Sequence, residues 1–573
     1  MWTMGIDMGT SGCKAVVFDE QFAIRAQSYR EYPMHLPGEG LLELDAELVW
    51  EGICAVIREA NRLSPQPVGA VAVSAIGDVI IPVDEHGDSV RYSIVDFDPR
   101  GGEEITAFAK AFGEQRFFNI NGMPPLYIGS LAKILYLKEK EPEVFARTRR
   151  FASYEDFIVN KMGLPPVASY SELSRTMLFD IRKKDWSDEL LNAIPLSRDR
   201  LPIPAPSASV IGDTSWIKPG QTCWDWLNGI PFGPDVNFKS GINLDTYKYF
   251  VDFAARNGVG YMLMDEGWAL DTRDPFTTNP EVHLPELIAY SNSKGVGLIL
   301  WLPWLTVEKH MDLFEKFESW GIKGVKIDFM DRQDQWMVNF YERAAREAAK
   351  HHIFIDFHGA FHPSGLDYKY PNVLTFEGVR GMEFNGNCKP DNSVWLPFLR
   401  NAVGPMDYTP GSMLNYQPEK HHGNRPICSG VGTKTYNMAV FVLFESNLQM
   451  LMDNPCRYDQ WPDCRDFLTG VPVNWDETRI LQAEAGQYCI TAKRRGNQWF
   501  IGGITNSTAR DFQLKLDFLP AGKEYKMVSF SDGINADVIA MDYRREESKV
   551  TSQTVLPIHM VRNGGWCARI EME

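Results

Sequence analysis

The sequence has no apolar stretch approaching the roughly 20 residues that a membrane-spanning helix needs, so a membrane is not expected as a partner. It is short of positive charge: 58 Lys and Arg against 75 Asp and Glu leave a formal charge of -17. Such a surface repels phosphate backbones, and nucleic acid is not expected as a partner either. The nine cysteines, scattered from Cys13 to Cys567, include no C-x-x-C pair and are odd in number. That pattern predicts buried free thiols in a reducing compartment. The N-terminal Met1-Trp2-Thr3-Met4-Gly5-Ile6-Asp7 has neither the basic segment nor the apolar one of a secretory leader, so a cytoplasmic location is expected. Low-complexity tracts and blocks of like charge are absent from the sequence. What remains is 573 residues with 44% hydrophobic and 12% aromatic content, a globular chain too long for one core, for which two to four domains are expected.

The first two hundred residues read as a mixed α/β domain. Gly5 to Ser11 followed by Cys13 to Asp19 predicts strand, glycine turn, strand, a hairpin whose backbone N–H groups can face a phosphate. Residues 69 to 83 add two apolar strands, Val95 to Arg100 a charged strand end, and Leu131 to Lys140 and Tyr154 to Lys161 helices.

From Thr222 the pattern changes to short apolar strands alternating with amphipathic helices. Cys223 to Leu227, Tyr261 to Asp265, Gly297 to Trp301, Val325 to Phe329, Ile353 to Phe357 and Val373 to Glu377 recur at the spacing of βα units. Tyr247, Phe250, Val251 and Ala254 follow helical spacing between two of them. Met406 to Leu414 and Val440 to Leu448 are expected to complete a (β/α)8 barrel. In such barrels chemistry sits at the C-terminal ends of strands. Here those ends hold Asp225, Asp265, Glu266, Asp328, Asp356, Glu377 and Glu383, accompanied by Trp224, Trp226, Trp268, Trp301 and Trp304. Indole rings offer apolar faces to sugar C–H groups and carboxylates accept hydroxyl protons, so the set points to a carbohydrate. From about Val471 the sequence alternates like antiparallel strands, predicting a small β-sandwich. The expected architecture is multidomain α/β: a kinase-like α/β domain over 1–212, a (β/α)8 TIM barrel over 213–470 and an antiparallel β-sandwich over 471–573.

Two resemblances cover the chain. Residues 1 to about 212 resemble the N-terminal domain of FGGY carbohydrate kinases, xylulokinase-like members in particular, through Asp7-Met8-Gly9-Thr10-Ser11, Asp98-x-Arg100, Leu178-Phe179-Asp180 and Trp186 to Leu191. The resemblance implies that Asp7, Gly9, Thr10 and Ser11 face nucleotide phosphates and that Asp98-x-Arg100 lies near a sugar. The family's catalytic Asp segment and adenosine-holding second domain do not follow, so in-line phosphoryl transfer is not expected. From Thr214 onward the chain resembles glycoside hydrolase family 97, through Trp224-Asp225-Trp226, Asn237 to Asn243, Asp265-Glu266-Gly267-Trp268, Lys326-Ile327-Asp328-Phe329, Thr375 to Glu383 and Trp475-Asp476-Glu477-Thr478. A fusion near Gly212 to Trp216 is the expected origin of the chain.

The second resemblance implies a mechanism. Inverting members carry a catalytic Glu directly after the histidine that ends strand five, whereas here His358 is followed by Gly359. Strand four instead ends in Asp328, the retaining pattern, in which the two carboxyls are about 5 to 5.5 Å apart. Asp328 is then the nucleophile, its pKa held low by Lys326 on the same strand face. Glu383 is the acid/base and requires a raised pKa. The resemblance further implies that Glu377 and Glu383 ligate Ca²⁺ and that Asp265, Trp268, Lys326, His358 and Trp304 bind the sugar. It also implies a large N-terminal β-sandwich supplying another Ca²⁺-ligating Glu, which is replaced here by the kinase-like segment. The expected substrate is an α-galactoside or related oligosaccharide. α-Glucosidase specificity, sugar binding without turnover and a pentulose kinase stand as alternatives, and oligomeric state is open.

Overall fold

The computed structural model describes residues 2–20, 23–206 and 213–572, and the chain divides into two compact units, 1–208 and 209–573. Gly212, where the sequence suggests a join, lies outside the described residues.

In the first unit, β1 (Trp2–Met8), β2 (Gly12–Phe18) and β3 (Ile24–Glu31) form an antiparallel meander, and β4 (Val68–Ala75) pairs in parallel with β1. The parallel pairing requires a crossover, which α1 (Ala46–Leu63) supplies. Its N-cap Asp45 accepts from the backbone of Glu47 and Leu48, and Val49, Ile53, Val56 and Ala60 face inward. The expected helices are present as α2 (Ser130–Lys140) and α3 (Tyr154–Lys161).

In the second unit seven parallel strands form one sheet: β5 (Gly220–Trp224), β6 (Tyr261–Met264), β7 (Gly297–Pro303), β8 (Gly324–Asp328), β9 (Phe354–Phe357), β10 (Val373–Phe376) and β11 (Leu448–Leu451). The order runs from β10 back to β5, and β11 pairs with β5. All residues of β6, β8, β9 and β10 are buried, as strands covered on both faces require. Helices α4 (Leu244–Arg256) and α5 (Gln335–Lys350) bury Tyr247, Phe250 and Val251, and Met337, Phe340 and Tyr341. Burying a large apolar side chain of this kind is worth about 1.5–3 kcal/mol.

The last two barrel positions correct the sequence reading. Of Met406 to Leu414 only Met406 bridges in parallel to β10, at Phe376. Val440 belongs to helix α6 (Lys434–Leu443), and the final strand begins at Leu448. Every residue of α6 is buried. A helix apolar on all sides shows no 3.6-residue period, and its Val-Phe-Val-Leu run mimics a buried strand.

The C-terminal strands are β12 (Glu477–Glu484), β13 (Tyr488–Arg495), β14 (Gln498–Thr505), β15 (Arg510–Lys515), β16 (Tyr525–Asp532), β17 (Tyr543–Val550), β18 (Val555–Met560) and β19 (Gly565–Met572). Six form an antiparallel sheet in the order β12-β13-β14-β19-β16-β17, and β15 pairs with β18. Trp499, Ile501, Phe512, Leu514 and Ile558 join the two layers in one core. The other face of the large sheet merges with the barrel, since Phe500, Ile504, Phe530 and Cys567 belong to the barrel's core. Gly502 of β14 lies so close to α6 that a Cβ there would stand 2.6 Å from the Ala439 carbonyl oxygen.

All nine cysteines are free, and eight are buried. Among the described residues no helix is long and apolar enough to cross a membrane.

Candidate active site

At the C-terminal end of β8, Asp328 is 9% exposed. Its Oδ2 accepts from Trp301 Nε1 at 2.8 Å and its Oδ1 from the Phe329 backbone N–H at 2.5 Å. Both bonds hold the carboxylate in one orientation at the mouth of the barrel. Beside it is Gly359, with φ of +57°. A Cβ at Gly359 would lie 3.0 Å from Asp328 Oδ1 and 2.9 Å from the Phe329 nitrogen. A side chain after His358 and a carboxylate at the end of β8 therefore compete for the same space.

Gly359 donates its N–H to Glu377 Oε2 at 2.8 Å. His358 Nε2 lies 2.9 Å from Glu383 Oε2 and 3.6 Å from Glu377 Oε1, and its Nδ1 lies 2.9 Å from Asp407 Oδ2. The same Asp407 oxygen accepts from Lys326 Nζ at 2.8 Å. Lys326 pairs in register with Asp356 on β9, whose Oδ2 is 3.6 Å from the ammonium. Asp328, Glu377, Glu383, His358 and Lys326 are thus gathered at one end of the barrel. Asp407, which no motif marked, lies behind them at the seventh barrel position. Its signal in the sequence is only its place inside the expected strand Met406 to Leu414.

The charges interlock. Burial works against the imidazolium of His358, as does Lys326, but hydrogen bonds to Asp407 and Glu383 prevail and its pKa is raised well above the ordinary value. Burial likewise opposes the Lys326 ammonium, and Asp407 and Asp356 outweigh it, raising the pKa. Burial pushes Asp356 far up, with Asp407 adding to it. Asp407 resists its own burial because Lys326 and His358 hold it well below the usual carboxylate range.

Two electrostatic expectations are corrected here. Lys326 does not pair with Asp328: its side chain crosses the barrel interior to Asp407 and Asp356, one layer beneath the mouth. Glu383 is not raised. Burial pushes it up, but the hydrogen bond and charge of His358, with Lys326 behind, bring it below the ordinary value. Glu377 is the carboxyl that burial and the neighbouring Glu383 push up, to about 7, against the pull of His358.

Asp265 directly follows β6, its Oδ2 accepting from Trp224 Nε1 at 2.7 Å. Burial, with Asp225 alongside, pushes it up to about 7. It lines a cleft of about 490 Å³ with Asp225, Trp226, Glu266 and Arg425. Trp304 is half-buried, its ring edge-on to Phe340. Trp268 departs from its expected role: it is 1% exposed, donates to the Trp301 carbonyl at 2.8 Å and packs against Phe317. A ring so enclosed is core and offers no face to a sugar.

For a divalent cation, His358, Glu377 and Glu383 present ligand atoms within 4.8 Å of one another. The two carboxylates, one pushed up by the other, suit a hard ion, as two of the six to eight oxygens that Ca²⁺ takes.

In the first unit, Gly9 and Thr10 line a cleft of about 730 Å³, whose floor and rim include Asp78, Asp96, Phe97, Glu155, Glu172 and Arg175. Asp7 and Ser11 are exposed on the same hairpin. Asp98 and Arg100 do not line this cleft; Arg100 forks onto Asp98 and Glu43, all three largely buried.

The class that fold and site define is a parallel barrel with paired carboxylates at its strand ends, preceded in sequence by a separate α/β unit. Residues 224–379 match the family Glycoside hydrolase 97, residues 474–571 the Glycosyl-hydrolase 97 C-terminal, oligomerisation domain, and residues 2–231 the N-terminal domain of the FGGY family of carbohydrate kinases. In order along the chain, the matches are thus to an FGGY N-terminal domain, a family 97 catalytic region and a family 97 C-terminal domain. A retaining alpha-galactosidase from Bacteroides thetaiotaomicron is 39% identical over 370 residues, 63% of this chain and 56% of that protein. A glycerol kinase from Thermococcus kodakarensis is 27% identical over 220 residues, 37% of this chain and 44% of that one. A family 97 enzyme from Pseudoalteromonas sp. strain K8, solved in complex with acarbose, has a TM-score of 0.58 at 28% identity, covering 68% of this chain and 63% of that one. The chain spans about half the length of the curated relatives it matches.

Proposed function

We propose that this chain is a retaining α-glycoside hydrolase acting on α-galactosides, by double displacement through Asp328. The observation that carries this is the contact between Asp328 and Gly359, where a carboxylate has the space that a side chain after His358 would need. The relatives named retaining alpha-galactosidase support the same reading.

In the first step Asp328 Oδ1 or Oδ2 bonds to the anomeric carbon as the glycosidic C–O bond breaks. Glu383 protonates the departing oxygen. The proton passes to Glu383 from the imidazolium of His358, whose Nε2 lies 2.9 Å from Glu383 Oε2, and the proton taken from water in the second step returns there. In the second step Glu383 takes a proton from water, which displaces Asp328 and leaves the anomeric configuration as it began. Trp301 and the Phe329 N–H keep Asp328 aimed and return it to its resting contacts. Asp265 and Trp304 bind the sugar, and His358 and Lys326 set the charge beneath it. Glu377 and Glu383 would hold a Ca²⁺ ion, which when bound would supply positive charge to the site.

The test is hydrolysis of 4-nitrophenyl α-galactoside beside the α-glucoside, with Ca²⁺ present and methanol as a trap. The expected product is the methyl α-galactoside; the β-anomer would overturn retention. Asp328→Ala is expected to lose at least about 10³-fold in kcat, and azide to restore turnover as β-galactosyl azide. Turnover of the variant without azide at the wild-type rate would remove Asp328 from its role.

A further inference from the structure

Asp407 is a buried residue that the displacement chemistry does not use, yet it touches more of the site's charge than any carboxylate that does. It is fixed by its backbone, whose N–H donates to the Phe376 carbonyl at 2.9 Å, next to the Met406 bridge that stands for the seventh strand. Its side chain is fully buried, and Oδ2 is shared between Lys326 Nζ at 2.8 Å and His358 Nδ1 at 2.9 Å. An imidazole has two nitrogens on opposite edges. With Nδ1 held by Asp407, Nε2 can point only across the ring, where Glu383 Oε2 lies at 2.9 Å. Glu383 is further tethered by its own backbone N–H, which donates to Thr409 Oγ1, two residues beyond Asp407.

A metal ion among Asp356, His358 and Asp407 is the competing use of this cluster. The Lys326 ammonium is already seated 2.8 Å from Asp407 and 3.6 Å from Asp356, at the centre where an ion would need to sit. The cluster is thus already served by a cation.

We propose that Asp407 is the positioning residue of the acid/base: by gripping His358 at Nδ1 it aims the ring's other nitrogen at Glu383 and fixes the rotamer from which Glu383 protonates the leaving group. This rests on the glycosidase reading. Asn at 407 is isosteric, but its one acceptor oxygen is uncharged: in the place of Oδ2 it holds Lys326 and His358 by hydrogen bonds about half as strong, and in the flipped amide it turns N–H₂ donors at both. The ring then loses its fixed direction while the Asp328 contacts, made by Trp301 and Phe329, are untouched.

The consequence is selective. A poor leaving group needs the proton; fluoride and 2,4-dinitrophenolate leave without it. Loss of aim should therefore depress kcat/KM, which reports the first bond-breaking step, far more for methyl α-galactoside than for α-galactosyl fluoride. For Asp407→Asn the expected fall on the methyl glycoside is about 10²-fold, at least tenfold greater than the fall on the fluoride. Equal losses on both substrates would overturn the proposal, because a general disturbance of the barrel does not distinguish leaving groups. A wild type inert on the fluoride would instead sink the glycosidase reading. The second readout needs no turnover. In the ¹⁵N-histidine-labelled full chain, a slowly exchanging Nδ1 proton far downfield, missing in His358→Gln, is expected from the bond to Asp407; its absence from the wild type would overturn the grip.

Discussion

At the scale of single residues, Gly359 decides which carboxylate the site can use. Its positive φ already costs a non-glycine residue of order 1 kcal/mol, and the added Cβ would press on Asp328 Oδ1 and the Phe329 nitrogen inside van der Waals contact. Gly359→Ala is therefore expected to lower kcat on 4-nitrophenyl α-galactoside by about 10-fold or more, through a displaced nucleophile, and to cost about 1–2 kcal/mol of stability. Urea melts and steady-state rates check both, and unaltered kcat would mean that Asp328 has room to yield. Gly359 was legible in the sequence because a missing side chain after a histidine is visible by position alone. Trp268 was not, since a tryptophan at a strand end reads the same whether its ring faces the cleft or, as here, Phe317. Asp407 was illegible for a different reason. Its importance comes from where Lys326 and His358 reach, 81 and 49 residues away in sequence, and no local pattern encodes that meeting. The pKa of Glu383 was illegible on the same ground: an acid/base role argues upward, and the partner that holds it down is His358.

At the scale of elements, the strands of the barrel were read to within a few residues, because parallel strands buried on both faces are short apolar runs and little else. The exception, α6, is informative because its burial on every side erased the helical period. It is buried because it lies between the barrel and the C-terminal sheet, close to Gly502 of β14. Asp532 at the end of β16 fastens it there, accepting from the Thr435 hydroxyl and from the Val561 and Gly565 N–H groups. Burial outweighs these bonds and pushes Asp532 up to about 6. An acid whose pKa is higher folded than unfolded contributes stability that is full below about pH 4 and is lost as pH rises through about 6. Asp532→Asn cannot ionise, so its stability relative to wild type should improve between pH 4 and 7, by up to about 3 kcal/mol. Denaturant melts of both proteins at pH 4, 5.5 and 7 measure the gap; a gap constant with pH would show that Asp532 is not strained by its charge.

At the scale of the molecule, the sequence's three-part reading meets two compact units, because the interface between barrel and C-terminal sheet is itself core. Composition and periodicity report what each strand is, and do not report that the outer face of one sheet is the inner face of another domain's packing. The candidate catalytic and sugar-binding residues, from Asp265 to Asp407, all lie in the second unit, where each is held by contacts from that unit's own strands and helices. The first unit has its own cores, built on Ile6, Val17 and Ile53 and on Phe117, Leu131 and Trp186. A polypeptide of residues 213–573 is therefore expected to fold and to hydrolyse 4-nitrophenyl α-galactoside with kcat/KM within about threefold of the full chain. Residues 213–470 alone should aggregate, since removing the sheet would expose the faces of α6 that Phe500, Ile504 and Phe530 cover. If instead 213–573 folds but turnover collapses while the full chain is active, the acids gathered around Gly359 would be only part of the catalytic apparatus.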